Sequence, residues 1–459
     1  MRDRPTLEFG CARDRSLRPV HRWHRALKPA AAGLGALGLA FGVIGAGAGV
    51  AGAHTKTAHK AAVEVTNFAS YVGGHGKANP KLSPVYIGAV NQQTATNAPT
   101  PTWTTGIELA AKYMNQHTGG IDGHPVDVVL CKVPTTIGSA AKCGQEFADN
   151  PKIAAVVAGG VDVGNTALES ALKPAKKPLF FGVSLSTVDE KYPYGFILFG
   201  TVAEVEAPMA SAAKDYLHAK SISIVYPSNI PGNVYQAGVI AAALRYVGIK
   251  TIYKVGFTSS ETDLSAPFET AHVGHTTLFI FENSGGPACA NAYLTLKSLG
   301  LVTKTKVLVN VPCATPTVAK ADGGRLPHDW YYLTAVPMPG ARTAALTAFL
   351  RLAGSYGKGA VAHNAWTGNG FAEVLTVAKF ETAILKSHRA LTPAAVFKTA
   401  RAFRGPVALG APDIHCGAFP GTPATCNDLD RFYQNTKPTV MVPLGGWIPP
   451  PKGFKPPLT

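Results

Sequence analysis

The stretch from Val85 to Cys131 constrains the fold of this 459-residue chain more than any other. A short apolar run, 85–90, leads into a polar loop that contains prolines. The next segment carries apolar residues at helical spacing, and a second apolar run follows at 126–130. This order predicts a βαβ unit, in which a crossover helix joins two parallel strands. Its loop then lies at the carboxyl edge of the sheet, where open α/β proteins bind their ligands.

Local signals predict where the first crossover helix begins and ends. Thr105 stands three residues before Glu108, which is the spacing of a capping box, so we expect the helix to begin near Thr105. Gly119 and Gly120 permit the positive φ values that end helices. Asp122 and Gly123 then predict a turn into the second strand.

Composition favours a large packed protein and argues against nucleic-acid binding. The chain is 46% hydrophobic and 15% charged, which suffices for more than one domain. Its formal net charge is +16, but the lysines and arginines are scattered and no run exceeds two. Nucleic-acid binders usually cluster such charge, so we assign the basic character to solubility and envelope electrostatics.

Residues 1–53 are typical of a signal peptide or a membrane anchor. Eight basic residues precede an uncharged stretch, 29–53, which ends in the small residues Ala51, Gly52 and Ala53. The chain is therefore expected to be exported, to the periplasm or the outer face of the membrane. Cleavage and retention as an anchor both remain open. Residues 54–82 contain few large apolar side chains and read as a flexible tether.

Six cysteines lie in the exported part, and export makes disulfides possible. Pairing of nearest neighbours closes three short loops, although six cysteines allow fifteen connectivities. A metal site is the competing interpretation, but there is no CxxC motif and no histidine at ligand spacing, so no metal is expected. The six residues are Cys131, Cys143, Cys289, Cys313, Cys416 and Cys426.

Two further strands of the first half end in polar loops. The strand 153–158 is followed by a loop in which Asn165 or Thr166 is predicted to cap a helix. The strand 178–183 is followed by Ser184 and Ser186. Such loops suit a carboxylate or another polar ligand group, but ordinary capping and turn chemistry explains the same residues equally well.

The pattern then repeats. Strands are predicted at 221–226, 251–255, 276–281 and 306–311, with a helix at 234–247. Two similar α/β halves are implied, and a cleft between them is the default binding site.

The carboxyl-terminal part is predicted to hold helices at 342–356 and 366–388. The runs 405–409 and 430–434 resemble a closing pair of strands. The Pro-rich tail, 436–459, is expected to be irregular.

These segments, in this order, resemble the type I periplasmic solute-binding proteins of ABC transporters, specifically the Leu/Ile/Val-binding group. The resemblance covers about 83–435. It is carried by VYIGAV, GIELAAKYMNQHTGGIDGHPVDVVL, AAVVAGG, PLFFGVSLS, SISIVYPSNIPGNVYQAGV, AWTGNGFAEVLTVAKFETAI and GPVALG.

The resemblance implies an α/β fold of two Rossmann-like lobes with parallel central sheets, joined by a three-strand hinge. The first lobe would comprise 83–200 with 335–405, and the second 201–334 with 406–435. The family binds its ligand between the lobes, which close on it.

The resemblance also implies ligand-binding residues. In amino-acid-binding members the first lobe holds the ligand with backbone and hydroxyl groups. The second lobe usually supplies an acid for the ligand amine, yet no carboxylate stands near Asn310, where one is expected. Glu282 is the candidate substitute, unless the ligand lacks an amine. The full candidate set is Val163, Gly164, Asn165, Thr166, Ser184, Ser186, Trp103, Tyr235, Glu282 and Asn283. Trp103, placed in the first loop, is expected either to cover a ligand or to pack beneath its own loop.

By this resemblance the chain captures a small polar molecule, an amino acid, an amide or a related organic acid, and delivers it as a monomer to an ABC permease. A sensor of the same fold, signalling to a membrane partner, is the alternative. No cofactor is expected. Catalysis has no support, because HExxH and Walker A motifs are absent and residues 182–186 fail the GxSxG pattern at the last position.

Overall fold

The computed structural model describes residues 64–93, 100–134, 137–159, 164–184, 186–201, 206–283, 285–437 and 440–457. All of them belong to one compact unit, 58–459. The predicted signal or anchor segment, 1–53, lies outside the described residues.

The first lobe is built on a five-stranded sheet in the order β2-β1-β3-β4-β5, with every neighbouring pair parallel. Its central strand β3 is buried along its whole length, as its continuous apolar run predicted. The strands are β1 (Val85–Gln92), β2 (Val126–Val133), β3 (Ile153–Ala158), β4 (Leu179–Val183) and β5 (Gly195–Gly200).

The second lobe repeats this order. Its seven-stranded sheet runs β14-β13-β10-β9-β8-β6-β7, and the five strands β6 to β10 pair in parallel in the same sequence as the first sheet. The last two strands join in antiparallel fashion. The prediction of two similar parallel α/β halves is thus confirmed. The strands are β6 (Ser221–Pro227), β7 (Thr251–Phe257), β8 (Leu278–Phe281), β9 (Val307–Asn310), β10 (Trp330–Thr334), β13 (Asp430–Lys437) and β14 (Val440–Ile448), and a separate two-stranded ribbon contains β11 (Arg404–Gly405) and β12 (Ile414–His415).

The chain passes between the two sheets three times: after β5, after β10, and ahead of β13. The helices are α1 (Phe68–Val72), α2 (Pro101–His117), α3 (Ile137–Asp149), α4 (Asn165–Leu172), α5 (Thr187–Lys191), α6 (Pro208–Ser211), α7 (Pro231–Tyr246), α8 (Ser265–Thr270), α9 (Gly286–Ser298), α10 (Pro316–Ala321), α11 (Ala344–Ser355), α12 (Gly359–Ala362), α13 (Ala365–Lys386) and α14 (Pro393–Arg401). A π-helical turn, Ala212–Tyr216, extends α6, and a 3₁₀ turn, Val311–Cys313, follows β9.

Helix α2 begins at Pro101, so the predicted start near Thr105 is wrong. Proline at the first helical position has its φ already set for the helix. The side chain of Asn91, at the end of β1, donates to the Thr100 carbonyl at 2.9 Å and accepts from the Thr100 hydroxyl at 2.7 Å. The side-chain amide of Asn91, in the preceding strand, therefore holds the start of the helix, and the capping box predicted at Thr105 and Glu108 does not.

The backbones of helices α2 and α13 approach each other very closely where the helices pack in the first lobe. A Cβ at Gly106 would lie 2.1 Å from the Thr367 carbonyl oxygen, and one at Gly370 would lie 2.5 Å from the Trp103 carbonyl oxygen. Only glycine fits these positions, because any side chain would overlap the facing backbone.

The prediction that 54–82 is a flexible tether is wrong for the described part, 64–82. Phe68, Tyr71 and Val72 are buried. The Phe68 ring packs edge-on against Phe371 of α13 at 5.2 Å, and Gly76 forms a bridge with Thr118. Three buried apolar side chains among small polar residues suffice to dock this segment on the first lobe.

Two expectations for the carboxyl-terminal part are also wrong. Runs 405–409 and 430–434 do not pair with each other: β11 pairs with β12, and β13 pairs with β10. The tail expected to be irregular contains β14, which pairs with β13. Backbone pairing to an available sheet edge outweighs the Pro- and Gly-rich composition of the tail.

The segment before β13 belongs with the first lobe, although the predicted boundaries assign 406–435 to the second. Thr425 bridges Ile197 of β5 in parallel. The amide of Ile197 donates to the Ala424 carbonyl at 2.7 Å, and the amide of Cys426 donates to the Ile197 carbonyl at 3.1 Å. This segment satisfies backbone groups at the exposed edge of β5.

The expectation of disulfides is confirmed, and the six cysteines pair with their nearest neighbours in the chain. The bonds are Cys131–Cys143, Cys289–Cys313 and Cys416–Cys426. Each closes a short loop within one lobe. Among the described helices, none has the length and apolar character required to span a bilayer.

Replacing Phe68 with alanine tests the docking of the amino-terminal segment. Phe68 is 3% exposed, so Phe68→Ala should lower the free energy of unfolding by about 3–5 kcal/mol through lost burial and a residual cavity. Urea unfolding of the exported protein measures this. Leu82→Ala, at a site 38% exposed, is the matched control and should change stability by less than about 0.5 kcal/mol. Equal small effects of the two substitutions would contradict the docking.

Candidate functional site

The strand order of each sheet reverses once, and the candidate site residues lie near these two points. In the first sheet the reversal lies between β1 and β3, and in the second between β6 and β8. Open α/β sheets bind ligands in the crevice outside the carboxyl ends of their strands at such positions. Ser184 directly follows β4, Glu282 directly follows β8, and Asn310 ends β9.

In the first lobe, the polar groups converge on Asp189, which is almost completely buried in α5. The side-chain amide of Asn165 donates to both carboxyl oxygens of Asp189, at 2.9 and 3.0 Å. The hydroxyl of Ser184 donates to Asp189 Oδ2 at 2.8 Å. Asn165 and Ser184, both predicted to be ligand-binding, are thus brought together, and an unpredicted acid links them.

The predicted cap of α4 is wrong. Gly164 is the N-cap residue, with a φ of 89°, and among the described residues no side chain caps the helix. Asn165 therefore starts the helix and directs its amide to Asp189. Thr166 lies in the first turn of the helix, and Val163 lies outside the described residues.

Ser184 and Ser186 already have intramolecular partners. The Ser186 hydroxyl accepts from the Val188 amide at 3.1 Å and caps α5. Ser184 Oγ accepts from the Ser186 amide at 3.2 Å. These contacts are turn and capping chemistry, and the role of the two serines in holding a ligand carboxylate stays a prediction.

A second buried acid, Glu169, belongs to the first-lobe cluster. Burial, with repulsion from Asp189 as the next cause, raises the pKa of Glu169 to about 10. Burial also raises the pKa of Asp189, against the hydrogen bonds from Asn165 and Ser184. Among the described residues, no salt bridge involves either carboxyl group. A ligand carboxylate placed here would meet acids and no cation.

In the second lobe, Glu206 is buried near two other buried carboxyl groups, Glu282 and Asp430. Glu206 follows the first crossing, and Asp430 begins β13 after the third. Glu282 and Asp430 are 0% exposed, and none of their four carboxyl oxygens has a hydrogen-bond partner among the described residues.

Burial dominates the protonation of this second-lobe acid cluster. It raises the pKa of Glu206 to about 7, although hydrogen bonds from Gln236 and Asn310 lower it. Burial, followed by repulsion from Glu206, raises the pKa of Glu282 well above its ordinary range. The same causes, in the same order, raise the pKa of Asp430. Because Glu282 and Asp430 form no ion pair among the described residues, burial favours their protonated forms, whereas Glu206 titrates near neutral pH.

Side-chain amides surround the second-lobe acid cluster. The Gln236 amide donates to Glu206 Oε1 at 3.0 Å. The Asn283 amide donates to Asn310 Oδ1 at 2.8 Å, and the Asn233 amide donates to the Asn283 carbonyl at 3.1 Å. The network orients polar groups from α7, β8 and β9 around the acids without neutralising them.

Trp103 is not a loop residue. It lies in α2, is 0% exposed, and would contact a Cβ added at Gly159 at 2.7 Å. Its side chain lowers the pKa of the buried Glu373, against a larger raising effect of burial. The structure therefore packs Trp103 inside the first lobe, because α2 starts before it.

Tyr235 lines a cavity of about 380 Å³ in the second lobe, beside the loop that follows β6 and the start of α7. Every lining residue belongs to the second lobe or to the tail, namely Ser228, Asn229, Pro231, Val234, Tyr235, Gly238, Val239 and Pro457. The cavity wall is mainly apolar. Tyr235 is consequently not brought to the acid cluster.

Reasoning from the sequence selected Glu282 and Asn283 as candidates but not Glu206 or Asp430, and the ligand-binding role of all four stays a prediction. Glu282 directly follows an apolar strand run, which marks it as a strand-exit residue. Glu206 and Asp430 stand in crossings, whose positions depend on how the lobes connect. Asp189 and Glu169 also had a weak signal, because each lies one turn into a helix that follows a predicted strand exit.

Ser184→Ala tests whether the Ser184 hydroxyl stabilises the folded protein in the absence of a ligand. Removing its hydroxyl leaves the buried Asp189 with one donor fewer, so the free energy of unfolding should fall by about 1–3 kcal/mol. Urea unfolding of the variant measures this. Ser355→Ala, which removes an exposed hydroxyl bonded to the Leu352 carbonyl, is the control and should change stability by less than about 0.5 kcal/mol. An unchanged stability of Ser184→Ala would show that the contact with Asp189 contributes nothing.

The second-lobe acid cluster predicts an unusual pH dependence of stability. Because the pKa of Glu206 is about 7 in the folded protein against 4.5 ordinarily, the native state binds more protons than the unfolded state between these values. Stability should therefore be complete below about pH 4.5 for this group and fall as the pH rises through 7, by on the order of 1–3 kcal/mol. Glu282 should contribute in the same direction. Urea unfolding across this range should show the fall in wild type and a smaller fall in Glu206→Gln, whereas stability that rises with pH would refute the assignment.

Three comparisons place the chain among known proteins. The family model described as "Periplasmic binding protein" matches residues 84–418. No curated protein matches the sequence.

Solved structures share the fold at low identity. A leucine-binding protein from Thermotoga maritima is 17% identical, with a TM-score of 0.64 over 80% of this chain and 99% of that one. A branched-chain amino acid transporter substrate-binding protein from Streptococcus pneumoniae, in complex with isoleucine, is 14% identical, with a TM-score of 0.62 over 79% and 100%. A solute-binding protein from R. palustris, in complex with 4-hydroxybenzoate, is 14% identical, with a TM-score of 0.65 over 81% and 99%. The predicted fold class is confirmed, and since the family model covers most of the sequence, the chain belongs to the periplasmic binding protein family.

Proposed function

We propose that this protein is an exported solute-binding protein that captures a small molecule bearing an ammonium group, such as an amino acid, between its lobes and delivers it to an ABC permease. The observation that carries the proposal is the second-lobe acid cluster. Glu206, Glu282 and Asp430 converge at the lobe junction, and among the described residues no basic side chain forms an ion pair with any of them.

An ammonium group is the natural partner of such a cluster. Burying carboxyl groups without a cation is costly, because desolvation disfavours the charged form. A bound ammonium group would allow Glu282 to ionise and would give its unpartnered oxygens donors. The amides of Asn283, Asn233 and Gln236 bond to protein groups in the absence of a ligand and hold the polar groups around Glu206 in place.

Similar structures have been solved with ligands of two kinds: isoleucine carries an amine, and 4-hydroxybenzoate does not. The cluster favours the first kind for this chain. A ligand with only a carboxylate has no ammonium group to pair with Glu282. The family resemblance implies an acid near Asn310 for the ligand amine, and none stands there. In this proposal Glu282 and Glu206, from neighbouring elements, take the place of that acid.

A thermal-shift screen of the protein from His54 onward tests the ligand class. The probes are amino acids, the 2-hydroxy acids that match them, simple alkylamines and 4-hydroxybenzoate. Compounds with an ammonium group should raise the melting temperature in a concentration-dependent way, because ligand bound to the native state stabilises it. A shift with the 2-hydroxy acids or with 4-hydroxybenzoate alone would overturn the ligand class, and no shift with any probe would count against solute capture itself.

Two variants locate the binding group. Glu282→Gln should weaken binding of the active probe at least tenfold and should leave the affinity for uncharged analogues unchanged. Glu381→Gln is the matched control, because Glu381 is also fully buried with a pKa raised by burial to about 8 but lies in α13 of the first lobe. Isothermal titration calorimetry at pH 6 and pH 8 measures both, and tighter binding is expected at pH 8, where more of Glu206 is ionised. Equal losses in the two variants would remove Glu282 from the site.

A further inference from the structure

The amino-terminal segment ahead of β1 makes contacts at the junction of the lobes. Helix α1 is fixed to the first lobe. The Tyr71 hydroxyl lies 3.1 Å from Thr376 Oγ1 of α13, and the Lys379 ammonium donates to the Tyr71 carbonyl at 2.9 Å. Residues immediately before α1 are therefore held in place relative to that lobe.

Glu64, four residues before α1, joins elements of both lobes. Its Oε1 accepts from the Arg431 guanidinium at 2.6 Å, and its Oε2 accepts from the Ala345 amide at 2.9 Å. Ala345 lies in the first turn of α11, where the chain re-enters the first lobe after the second crossing. Arg431 lies in β13 and is paired with Thr334 of β10 and with Trp447 of β14, so it belongs to the second lobe's sheet.

The surroundings of the pair strengthen it. The Glu64 and Arg431 side chains are only 22% and 18% exposed, so solvent screens their attraction less than at an open surface. The Arg431 guanidinium lies 5.8 Å from the centre of the Tyr433 ring. A crevice of mixed polar and apolar lining surrounds the contact, and its apolar walls include Val65, Val336, Pro337, Met338, Leu346 and Trp447.

The negative charge of Glu64 also suits the helix it contacts. The first amides of α11 have no partner within the helix itself, and the positive end of the helix dipole lies there. Its N-cap Thr343 satisfies the Leu346 amide, and Glu64 satisfies that of Ala345. One carboxylate is thereby bound to the start of a first-lobe helix and to a second-lobe arginine.

The geometry points to a hinge strap: residues 64–67, anchored on the first lobe by α1, use Glu64 to hold Arg431 and so stabilise one relative arrangement of the lobes. The three covalent crossings allow lobe movement, and the strap is a fourth, breakable connection at the same place. A contact made in one arrangement and lost in another shifts the population between them by its own free energy. The strap therefore sets the resting lobe arrangement before any ligand binds.

Interlobe distance is the direct readout. Nitroxide labels on cysteines introduced at the exposed Val188 of α5 and Thr262 after β7 report one distance distribution between the lobes, measured by pulsed electron paramagnetic resonance in the absence of ligand. In Glu64→Gln and in Arg431→Gln the distribution should shift or broaden in the same way. The double variant should show no further change, because either substitution alone breaks the contact.

Two controls separate a strap from a merely structural contact. Arg404→Gln removes an exposed ion pair with Asp413 and should leave the distribution unchanged. Arg431→Lys keeps the charge next to Glu64 and should keep the wild-type distribution, even if it alters the melting temperature. A wild-type distribution in Glu64→Gln, whatever its stability, would overturn the strap, and so would additive shifts in the double variant. None of these outcomes depends on the identity of the solute.

Discussion

Parallel strand pairing is the constraint on which the rest of this structure depends. A parallel pair requires a crossover, usually helical, and the crossover is right-handed, so every strand of a half delivers its exit loop to the same edge. The two sheets share one strand order, β2-β1-β3-β4-β5 and β7-β6-β8-β9-β10. Polar side chains that are distant in sequence therefore meet at strand ends. Ser184 and Asn165 both meet Asp189 in one lobe in this way, and Asn283 meets Asn310 in the other.

Much of this architecture can be predicted from local pattern. Strand β3 was predicted at its observed bounds, because six consecutive apolar residues between polar turns admit few alternatives. The repeat of strand, helix and strand after Ser221 likewise predicted the second sheet. Glu282 could be found because it directly follows a predicted strand, and the position after a parallel strand is where binding residues occur.

What could not be predicted depends on distant contacts. The start of α2 is held by the side chain of Asn91, which no helix-capping signal includes. The sequence of segment 64–82 resembles a linker, but in the structure Phe68 packs against Phe371, some three hundred residues away. Glu206 and Asp430 belong to crossings, and their meeting with Glu282 follows from the path of the chain between the lobes. The spacing of apolar residues within a segment carries no information about how the chain passes between the lobes.

Two kinds of carboxylate at the lobe junction show how charge is used differently. Glu64 is partly exposed, and both of its carboxylate oxygens have partners, so it contributes a specific contact at modest cost. Glu282 is fully buried without partners, and it keeps a proton to avoid an uncompensated charge. The first kind stabilises an arrangement of the empty protein. The second kind, the buried acid, lowers the stability of the empty protein as the pH rises. Under the proposed function, a bound cation balances the charge, and the free energy lost from stability returns as binding affinity. Under the two proposals, the resting geometry and the preference for a solute depend on different residues and can change independently.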